Sequence, residues 1–336
     1  MKIVIDTEGG DYAPYEAVNA AIIASDLYDD LHIILTGRKD KINEVIAESE
    51  YIGNTIEVVD CDEIITNEDV PTEAIKKKTN SSLVKAFDIL KSDDEVVGLI
   101  SAGSTGAVLT GAFLKIGRIK GVSRPALCPV LPTENGGKVM LMDAGANVDC
   151  KPINICHFAL MASAYMRKVC DIENPRVALL SIGTEDKKGN EFTHECFEEL
   201  KKLPINFVGN MEARDFMSGK YDVVVTDGFN GNILLKSVEG TATFIMKQLK
   251  QQFTSKLKNK IGAMFLKKSL QELKNKLDFN NYGGSPFLGA KKLVIKNHGA
   301  SDHNAFLRSI EQVILMAESD LSGTIEREIA AITVTE

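Results

Sequence analysis

Ten short runs of mainly apolar residues recur along the chain, separated by stretches of helical character. A run that is apolar at nearly every position is buried on both faces, which is typical of a parallel sheet covered by helices. The alternation therefore predicts a doubly wound α/β fold. The runs are KIVID, LHIILTG, TIEVVD, EVVGLISAG, ALCPVLPT, KVMLMDAG, RVALLSIG, INFVGN, DVVVTDG and KLVIKNHG.

The length of 336 residues suits one large α/β domain or two ordinary ones. No linker rich in proline, serine or glycine interrupts the sequence, and no clear repeat is present. We therefore expect a single domain over residues 1–336, with two lobes as the alternative.

Composition narrows the function classes. The formal net charge of -8 and the pI near 5.4 argue against a nucleic-acid-binding protein with a wholly basic surface. The six cysteines form no CxxC pair, which favours reduced thiols and a cytoplasmic location. No signal peptide is expected, because the chain opens directly on KIVID. The longest uncharged apolar run, residues 152–166, is shorter than the ~20 residues that cross a bilayer.

Small and polar residues follow many of the apolar runs. Ligands of open α/β sheets bind beyond the carboxyl ends of strands, so these loops are expected to line one crevice. Each loop taken alone is as often an ordinary turn. None contains a Walker motif or the GxGxxG fingerprint with its acidic partner. The loops are residues 5–14, 100–107, 143–152, 181–191, 226–232 and 297–305.

Few residues in these loops suit acid–base or anion chemistry. The pair Lys187 and Lys188 suits phosphate binding or carbonyl polarisation, and equally suits a solvated turn. Among the histidines, His298 and His303 follow a strand, where a hydrogen-bonded turn residue is the commoner role. The sequence has no HExxH, no Cys/His cluster and no GxSxG, so we expect neither a metal site nor a serine acyl-enzyme.

Residues 247–278 differ from the rest of the chain. Nine lysines and one acid lie between Lys247 and Lys276, and leucines and other apolar residues recur every three or four positions. This spacing predicts an amphipathic helical hairpin, with an apolar tip at Ile261, Met264, Phe265 and Leu266 beside the break expected at Gly262. Such a hairpin suits an anionic membrane surface, and the alternative is packing on the body or on a second subunit.

Ten motifs in order resemble the phosphate acyltransferases of bacterial phospholipid synthesis, and the resemblance covers nearly the whole chain. They are GGDYAP, PTEAIKKKTNSSL, ISAGSTGA, GRIKGVSRPAL, DAGANVDCKP, GTEDKKGNE, VGNMEARD, TDGFNGNILLK, NYGG and HGASD. The resemblance implies that inorganic phosphate takes an acyl group from acyl-[acyl-carrier protein]. The acyl phosphate product then serves glycerol-3-phosphate acylation.

The resemblance also implies an α/β/α sandwich similar to the isocitrate and isopropylmalate dehydrogenases and to phosphate acetyltransferase. It further implies a homodimer that attaches peripherally to the inner face of the cell membrane through the helical hairpin. Phosphate is already nucleophilic and a thiol leaves readily, so we expect no cofactor and no covalent enzyme intermediate.

On this resemblance we expect Lys187 and Lys188 to neutralise phosphate and the developing oxyanion. Asn230 and Asn232 would donate amide hydrogen bonds. His298 and Ser301 would orient phosphate or donate to the departing sulfur. Further backbone donors to phosphate are expected at Gly9, Gly10, Gly103, Thr105 and Gly106.

An acidic carrier protein needs a basic docking surface. The candidates, each of which also suits a solvated surface charge, are Arg118, Lys120, Arg124, Arg167, Lys168, Lys201, Lys202 and Arg214.

Two positions depart from the family pattern, because Glu8 stands where methionine is usual and Ser104 where asparagine is usual. The first departure puts the contact of the opening loop with phosphate in question.

Two other functions compete with the main expectation. One is a phosphate acyltransferase that uses acyl-CoA, and the other is a non-catalytic membrane scaffold of lipid synthesis. A dehydrogenase would require a nucleotide fingerprint that the sequence does not show.

Overall fold

The computed structural model describes residues 1–277 and 282–333, and within these ranges all side chains except those of residues 257, 260, 261, 273–277 and 333. The strands are β1 (Lys2–Asp6), β2 (His32–Gly37), β3 (Ile56–Asp60), β4 (Val96–Ser101), β5 (Ala126–Leu127), β6 (Val130–Pro132), β7 (Lys138–Met142), β8 (Val177–Ser181), β9 (Phe207–Glu212), β10 (Val223–Val225), β11 (Ser285–Leu288) and β12 (Leu293–Lys296).

Helices connect most of these strands. They are α1 (Tyr15–Leu27), α2 (Lys39–Glu48), α3 (Pro71–Lys77), α4 (Ser82–Ser92), α5 (Thr105–Gly111), α6 (Pro152–Val169), α7 (Glu191–Leu200), α8 (Gly228–Thr254), α9 (Leu257–Phe265), α10 (Lys267–Leu277), α11 (His303–Glu318) and α12 (Leu321–Thr333). Helix α5 continues into a π-helical turn over Ala112–Ile116.

The strands form two sheets. The first has the order β3-β2-β1-β4-β12-β11-β5 and is parallel from β3 to β12, with β11 antiparallel to both of its neighbours. The second has the order β6-β7-β10-β8-β9 and is parallel except for β6. The predicted α/β fold with helix-covered, largely parallel sheets is therefore confirmed.

The chain passes from one sheet to the other within the predicted strand ALCPVLPT. Residues 126–127 pair with β11 in the first sheet, and residues 130–132 pair with β7 in the second. Cys128 and Pro129 make the crossing: Cys128 N donates to Pro286 O, and Leu141 N donates to Pro129 O. The prediction of one strand here was wrong, and the crossing holds the two sheets close together.

Helix α6 forms the centre of the core. Thirteen of its 18 residues are buried, and it packs against α7, α11, α12, β7 and β10. One continuous hydrophobic cluster joins residues of β1 in the first sheet to residues of β7 in the second. How the chain divides into domains stays a prediction.

The basic segment is helical in three pieces. Helix α8 runs to Thr254, and α9 contains Gly262, so the predicted break at that glycine was wrong. A single glycine costs a helix about 1 kcal/mol and does not by itself end it. One break lies at residues 255–256, where the Asn259 amide donates to Gln252 O at 3.0 Å, and the other lies at Leu266, between α9 and α10. The hairpin arrangement stays a prediction, and residue 278 of its predicted range lies outside the described residues. No helix in the described part of the chain is long and apolar enough to cross a membrane.

Candidate active site

The loops that follow β1, β4 and β12 meet at one edge of the first sheet. These strands are parallel, so their carboxyl ends lie together. Asp11 N donates to Gly299 O at 2.7 Å. A Cβ atom at Gly9 would lie 2.3 Å from Gly103 N, so the loops approach too closely for any side chain at position 9. The paired glycines of the opening loop therefore serve the close packing of three strand ends.

Three polar residues form a row across this edge. Asp6, Ser101 and Lys296 are register partners on β1, β4 and β12. The Ser101 hydroxyl donates to Asp6 Oδ2 at 2.7 Å and accepts from Gly103 N at 3.0 Å. Asp6 is almost fully buried, and its burial raises the pKa of its carboxyl group. A buried acid and a buried lysine therefore face the same side of the sheet.

Lys296 is only 8% exposed, which is unusual for a lysine. Its ammonium donates to Ala102 O at 3.4 Å and also to Asn297 O. Burial lowers the pKa of Lys296 from 10.5 to about 8, while the charge of Asp6 opposes this change. The side chain is therefore mainly the ammonium near pH 7 and loses its proton at a lower pH than an ordinary lysine.

The neighbouring Asn297 is 1% exposed. Its Oδ1 accepts from the Ser309 hydroxyl at 2.6 Å, whereas its Nδ2 has no partner in the part of the chain that the structure describes. A buried donor without an acceptor costs about 1–3 kcal/mol. A buried donor of this kind calls for an explanation, and a bound water molecule or ligand would supply its acceptor.

Asp143 organises the loop that follows β7 in the second sheet. Its carboxylate accepts hydrogen bonds from the backbone N–H groups of Leu127, Gly145, Ala146 and Asn147 and from the Asn147 amide, at 2.6 to 3.2 Å. The DAGAN motif therefore has a structural role, because the Asp143 carboxylate uses both of its oxygens to hold the loop. Burial raises the pKa of Asp143.

The amino terminus of α8 packs on this loop. Asp227 caps the helix by accepting from Asn230 N at 2.9 Å, and it also accepts from the Asn230 amide at 2.6 Å. Gly228 N donates to Asn147 O at 2.7 Å. Asn232 lies one turn further along, and its side chain would be 3.4 Å from a Cβ atom at Gly145.

A cavity of about 570 Å³ lies where the strand ends of the two sheets face each other. One wall is a single face of α8 that runs from Asn232 to Met246 and includes Leu235, Lys236 and Glu239. Leu127, Pro129, Val130 and Leu131 of the crossing form an apolar wall, and the end of β12 contributes polar groups. The polar residues at the end of β12 are Lys296, Asn297 and His298.

Three of the predicted site residues line this cavity, namely Thr105, Asn232 and His298. His298 is exposed, and its Nδ1 accepts from Ala300 N at 3.2 Å, so the neutral ring carries its proton on Nε2. The other predicted phosphate-site residues are not among those that line the cavity in the described part of the chain, and Ser301 is 3% exposed; they are Gly9, Gly10, Gly103, Gly106, Asn230 and Ser301.

Lys187 and Lys188 lie in an exposed turn after β8. The turn is held by the Ser181 hydroxyl, which donates to Lys188 O at 3.0 Å, and by His194, whose Nε2 is 3.0 Å from Lys187 O. Strand β8 pairs with β10, so the turn is at the same edge of the sheet as Asn232. Neither lysine is among the residues that line the cavity, within the described part of the chain.

The predicted docking residues divide into two groups. Arg118, Lys120 and Arg124 are exposed in one turn, and in the described ranges none has a carboxylate within ion-pair distance. Arg167 and Arg214 are instead paired with Glu328 and Glu212. Lys168, Lys201 and Lys202 are exposed, and Lys202 pairs with Glu199.

Glu8 does not face the cavity. Its carboxylate is buried and forms an ion pair with Arg38 at 3.1 Å, while Oε1 accepts from Arg38 N at 3.0 Å. Glu8, the residue that departs from the family pattern, therefore holds the loop after β2 in place.

Lys296, Asn297 and Lys236 were missed by the sequence analysis. A signal existed in KLVIKNHG, where a lysine ends an otherwise apolar strand predicted to be buried. Lys236 lines the cavity as an ion pair with Glu239 at 2.6 Å. Among the described residues, no group of three or more His, Cys, Asp or Glu side chains is placed to hold a metal ion.

Comparison with known proteins assigns the chain to a family. A family model described as "Fatty acid synthesis protein" matches residues 1–323. A protein named phosphate acyltransferase, from Thermoanaerobacterium thermosaccharolyticum, is 44% identical over 332 residues, which cover 99% of this chain and 98% of that one. The chain belongs to the phosphate acyltransferase family. It is therefore an acyltransferase of fatty acid and phospholipid synthesis, and the family resemblance seen in its motifs is confirmed.

Solved structures agree on the fold. A phosphotransacetylase from Streptococcus pyogenes matches with a TM-score of 0.60 at 17% identity, over 95% of this chain and 94% of that one. A protein described as a 4-hydroxythreonine-4-phosphate dehydrogenase, from Salmonella typhimurium, matches with a TM-score of 0.51 at 12% identity, over 94% and 99%. At such identities the likeness shows the fold alone, and it confirms the predicted sandwich.

Proposed function

We propose that the acyl donor is acyl-[acyl-carrier protein] and that the acyl phosphate product serves glycerol-3-phosphate acylation in phospholipid synthesis. The observation that carries the proposal is the cavity between the sheets, which joins an apolar wall to a polar end rich in N–H donors. A fatty acyl thioester has the same division, with a long apolar chain and one reactive carbonyl group.

The apolar wall suits the acyl chain. The lining face of α8 extends over 14 residue steps from Asn232 to Met246, or about 21 Å at 1.5 Å per residue. Along it, Leu235, Ala242 and Met246 present apolar surface opposite the crossing. Binding there would place the thioester carbonyl beside Asn232 and the end of β12.

The polar end suits attack by phosphate, which is a nucleophile without activation by a base. The enzyme must hold both reactants and stabilise the oxyanion. Asn232 and the His298 Nε2–H group are the predicted donors that line the cavity. Lys187 and Lys188 would deliver positive charge from the rim, and the strand-end glycines with Thr105 and Ser301 would shape the phosphate site. Because Asp227 engages the Asn230 amide, Asn230 would contribute its second N–H.

The docking surface for the carrier protein would be the turn that holds Arg118, Lys120 and Arg124. Three positive charges within seven residues, none with an ion-pair partner among the described residues, suit an acidic partner. Arg167 and Arg214 contribute less, since each already has a carboxylate partner.

The membrane contact would be the end of α9. Met264 is 76% exposed, Phe265 is 86% exposed and Leu266 is 46% exposed, and the flanking Lys258, Lys267 and Lys268 are exposed too. Ile261, the fourth residue of the predicted tip, lies outside the described side chains. Each lysine near an anionic surface contributes about 1 kcal/mol. The proposal includes a homodimer that associates peripherally with the inner face of the cell membrane, as the family resemblance implies.

The experiment compares palmitoyl-carrier protein with palmitoyl-CoA at equal concentration, with inorganic phosphate as acceptor. The proposal predicts a higher kcat/KM for the carrier protein and a steep loss of that advantage with salt. The triple variant R118E/K120E/R124E should lose the advantage while its turnover of palmitoyl-CoA is retained. K91E, a charge reversal at an exposed lysine outside this turn, is the control. Equal use of both donors by the wild type would favour the acyl-CoA enzyme.

A further inference from the structure

We propose that Lys296 is a catalytic residue that protonates the sulfur of the departing thiol. The proposal rests on the proposed function in one respect, namely that the acyl donor is an alkyl thioester. It assigns a role to a buried side chain that the expected machinery of Lys187, Lys188, Asn232 and His298 does not include.

The position of Lys296 supports a role in chemistry. It ends β12 and lines the cavity, and the next two residues, Asn297 and His298, line the same cavity. Two of its three N–H groups are directed to Ala102 O and Asn297 O. In the described part of the chain no other acceptor engages the ammonium, so one N–H is left for a ligand.

The burial of Lys296 is difficult to explain as structure alone. Its ammonium forms no direct ion pair among the described residues, and it reaches two backbone carbonyl groups that a water molecule would also satisfy. Burying a cation without a contact ion pair opposes folding. The adjacent Asn297 Nδ2 is a second buried donor without a partner in the described ranges. Two adjacent residues thus hold N–H groups that a bound ligand would satisfy.

The surrounding charges keep this lysine able to exchange a proton. Asp6 on β1 and Asp11 in the following loop favour the ammonium, whereas burial and Lys236 on α8 disfavour it. His298 lies two residues further along the chain and also lines the cavity. The resulting pKa of about 8 is close to the ~8.5 of an alkyl thiol, so transfer of a proton between the two groups is nearly balanced.

The reaction balances with one proton transferred in each direction. An oxygen of HPO₄²⁻ forms a bond to the thioester carbonyl carbon, and the carbonyl oxygen takes the negative charge. The C–S bond then breaks, and the Lys296 ammonium gives its proton to the sulfur to form the free thiol. The neutral amine finally takes the proton that the phosphoryl group still carries, which leaves acyl phosphate as the dianion and restores the ammonium.

The test varies the leaving group. A thiolate that is already stable needs no proton, so the thioester of 4-nitrothiophenol should bypass Lys296. The alkyl thioester is whichever of palmitoyl-carrier protein and palmitoyl-CoA the wild type uses, so the test does not depend on the donor proposed above. With the alkyl thioester, Lys296→Met should lower kcat by at least ~100-fold. With palmitoyl 4-nitrothiophenol thioester, the loss should be less than ~5-fold.

His298→Gln is the matched variant, because His298 is the other proton donor beside the cavity. It should lower kcat for both donors by the same factor. Equal losses for both donors in Lys296→Met, or rescue by the acidic thiol in His298→Gln alone, would overturn the proposal. The pH dependence with the alkyl thioester gives a second readout. Wild-type kcat should fall above about pH 8, and Lys296→Met should lack this fall.

Discussion

Asp6 and Lys296 occupy equivalent positions on the two strands that flank β4, and both are register partners of Ser101. Neighbouring strands are about 4.8 Å apart, so the two backbone positions are separated by about 10 Å. Opposite charges about 10 Å apart attract by about 1.7 kcal/mol at an effective dielectric constant near 20, and the charge of Asp6 does raise the pKa of Lys296. The acid is thus placed to keep the buried lysine protonated without neutralising it by direct contact.

Asp6→Asn should therefore lower the pKa of Lys296 further. The alkaline fall in kcat, expected above about pH 8 in the wild type, should move to lower pH by roughly one unit. The measurement is the pH dependence of kcat with saturating donor and phosphate. Asp11→Asn is the control, because Asp11 is exposed and solvent screens its charge, so its shift should be smaller. An unchanged pH profile in Asp6→Asn would show that Asp6 does not affect the pKa of Lys296.

The lowered pKa of Lys296 also has a consequence for stability. Between about pH 8 and pH 10.5 the unfolded chain keeps this lysine protonated while the folded chain does not. Stability rises with pH wherever the unfolded state binds more protons, so this residue contributes a rise across that window. The difference between 10.5 and about 8 corresponds to about 3 kcal/mol.

Two thiols change the stability in the opposite direction. Burial raises the pKa of Cys61 and Cys150 to about 11, so the folded chain keeps these protons at a pH where the unfolded chain loses them, and stability falls as the pH rises. The comparison of Lys296→Met with the wild type removes their effect. The measurement is urea unfolding under reducing conditions. The free energy of unfolding of Lys296→Met should exceed that of the wild type by most at pH 7, and this difference should disappear by about pH 10.5. A stability difference that does not vary with pH would contradict the assignment.

Two glycines of α8 provide a matched test of how this helix is seated. A Cβ atom at Gly231 would lie 1.8 Å from Asp143 O, whereas at Gly240 nothing lies within 4 Å. Gly240→Ala should stabilise the protein by about 0.5–1 kcal/mol through helix propensity. Gly231→Ala should destabilise it by at least about 2 kcal/mol, since the helix must move from the loop after β7. Similar melting temperatures for both variants would show that α8 does not pack closely there.

Glu8→Met restores the residue that is usual in the family. The ion pair with Arg38 is lost, but Arg38 is half-exposed and the cost of burying a carboxylate is lost as well. We expect stability to change by less than about 1 kcal/mol and kcat to stay within a factor of two. A tenfold fall in kcat, measured with saturating phosphate, would place Glu8 in the phosphate site.

The fold was largely predictable because burial on both faces leaves a clear apolar pattern in a parallel strand. The four residues of β11 were missed, since Pro286 and their short antiparallel pairing give no such pattern. The division of ALCPVLPT was also missed, because a run that changes sheets at Cys128 and Pro129 reads as one continuous strand.

The location of the site could be predicted from the sequence, whereas most of the side-chain contacts within it could not. Thr105, Asn232 and His298 line the cavity because polar residues at strand ends converge by topology. Lys296 was missed, because a lysine at the end of a strand normally turns to solvent, and its burial depends on neighbours far away in the chain. Glu8 reads as a loop acid until the position of Arg38 is known.

Phosphate-dependent trapping of the acyl product is the sharpest test of the proposed reaction. Purified protein is incubated with palmitoyl-carrier protein, with and without inorganic phosphate, and acyl phosphate is trapped with hydroxylamine as the hydroxamate. We expect hydroxamate formation to require both the enzyme and phosphate, and its rate to fall at least ~100-fold in folded Lys296→Met. Hydroxamate formed equally without phosphate, or none at all from folded wild-type protein, would contradict the proposed reaction.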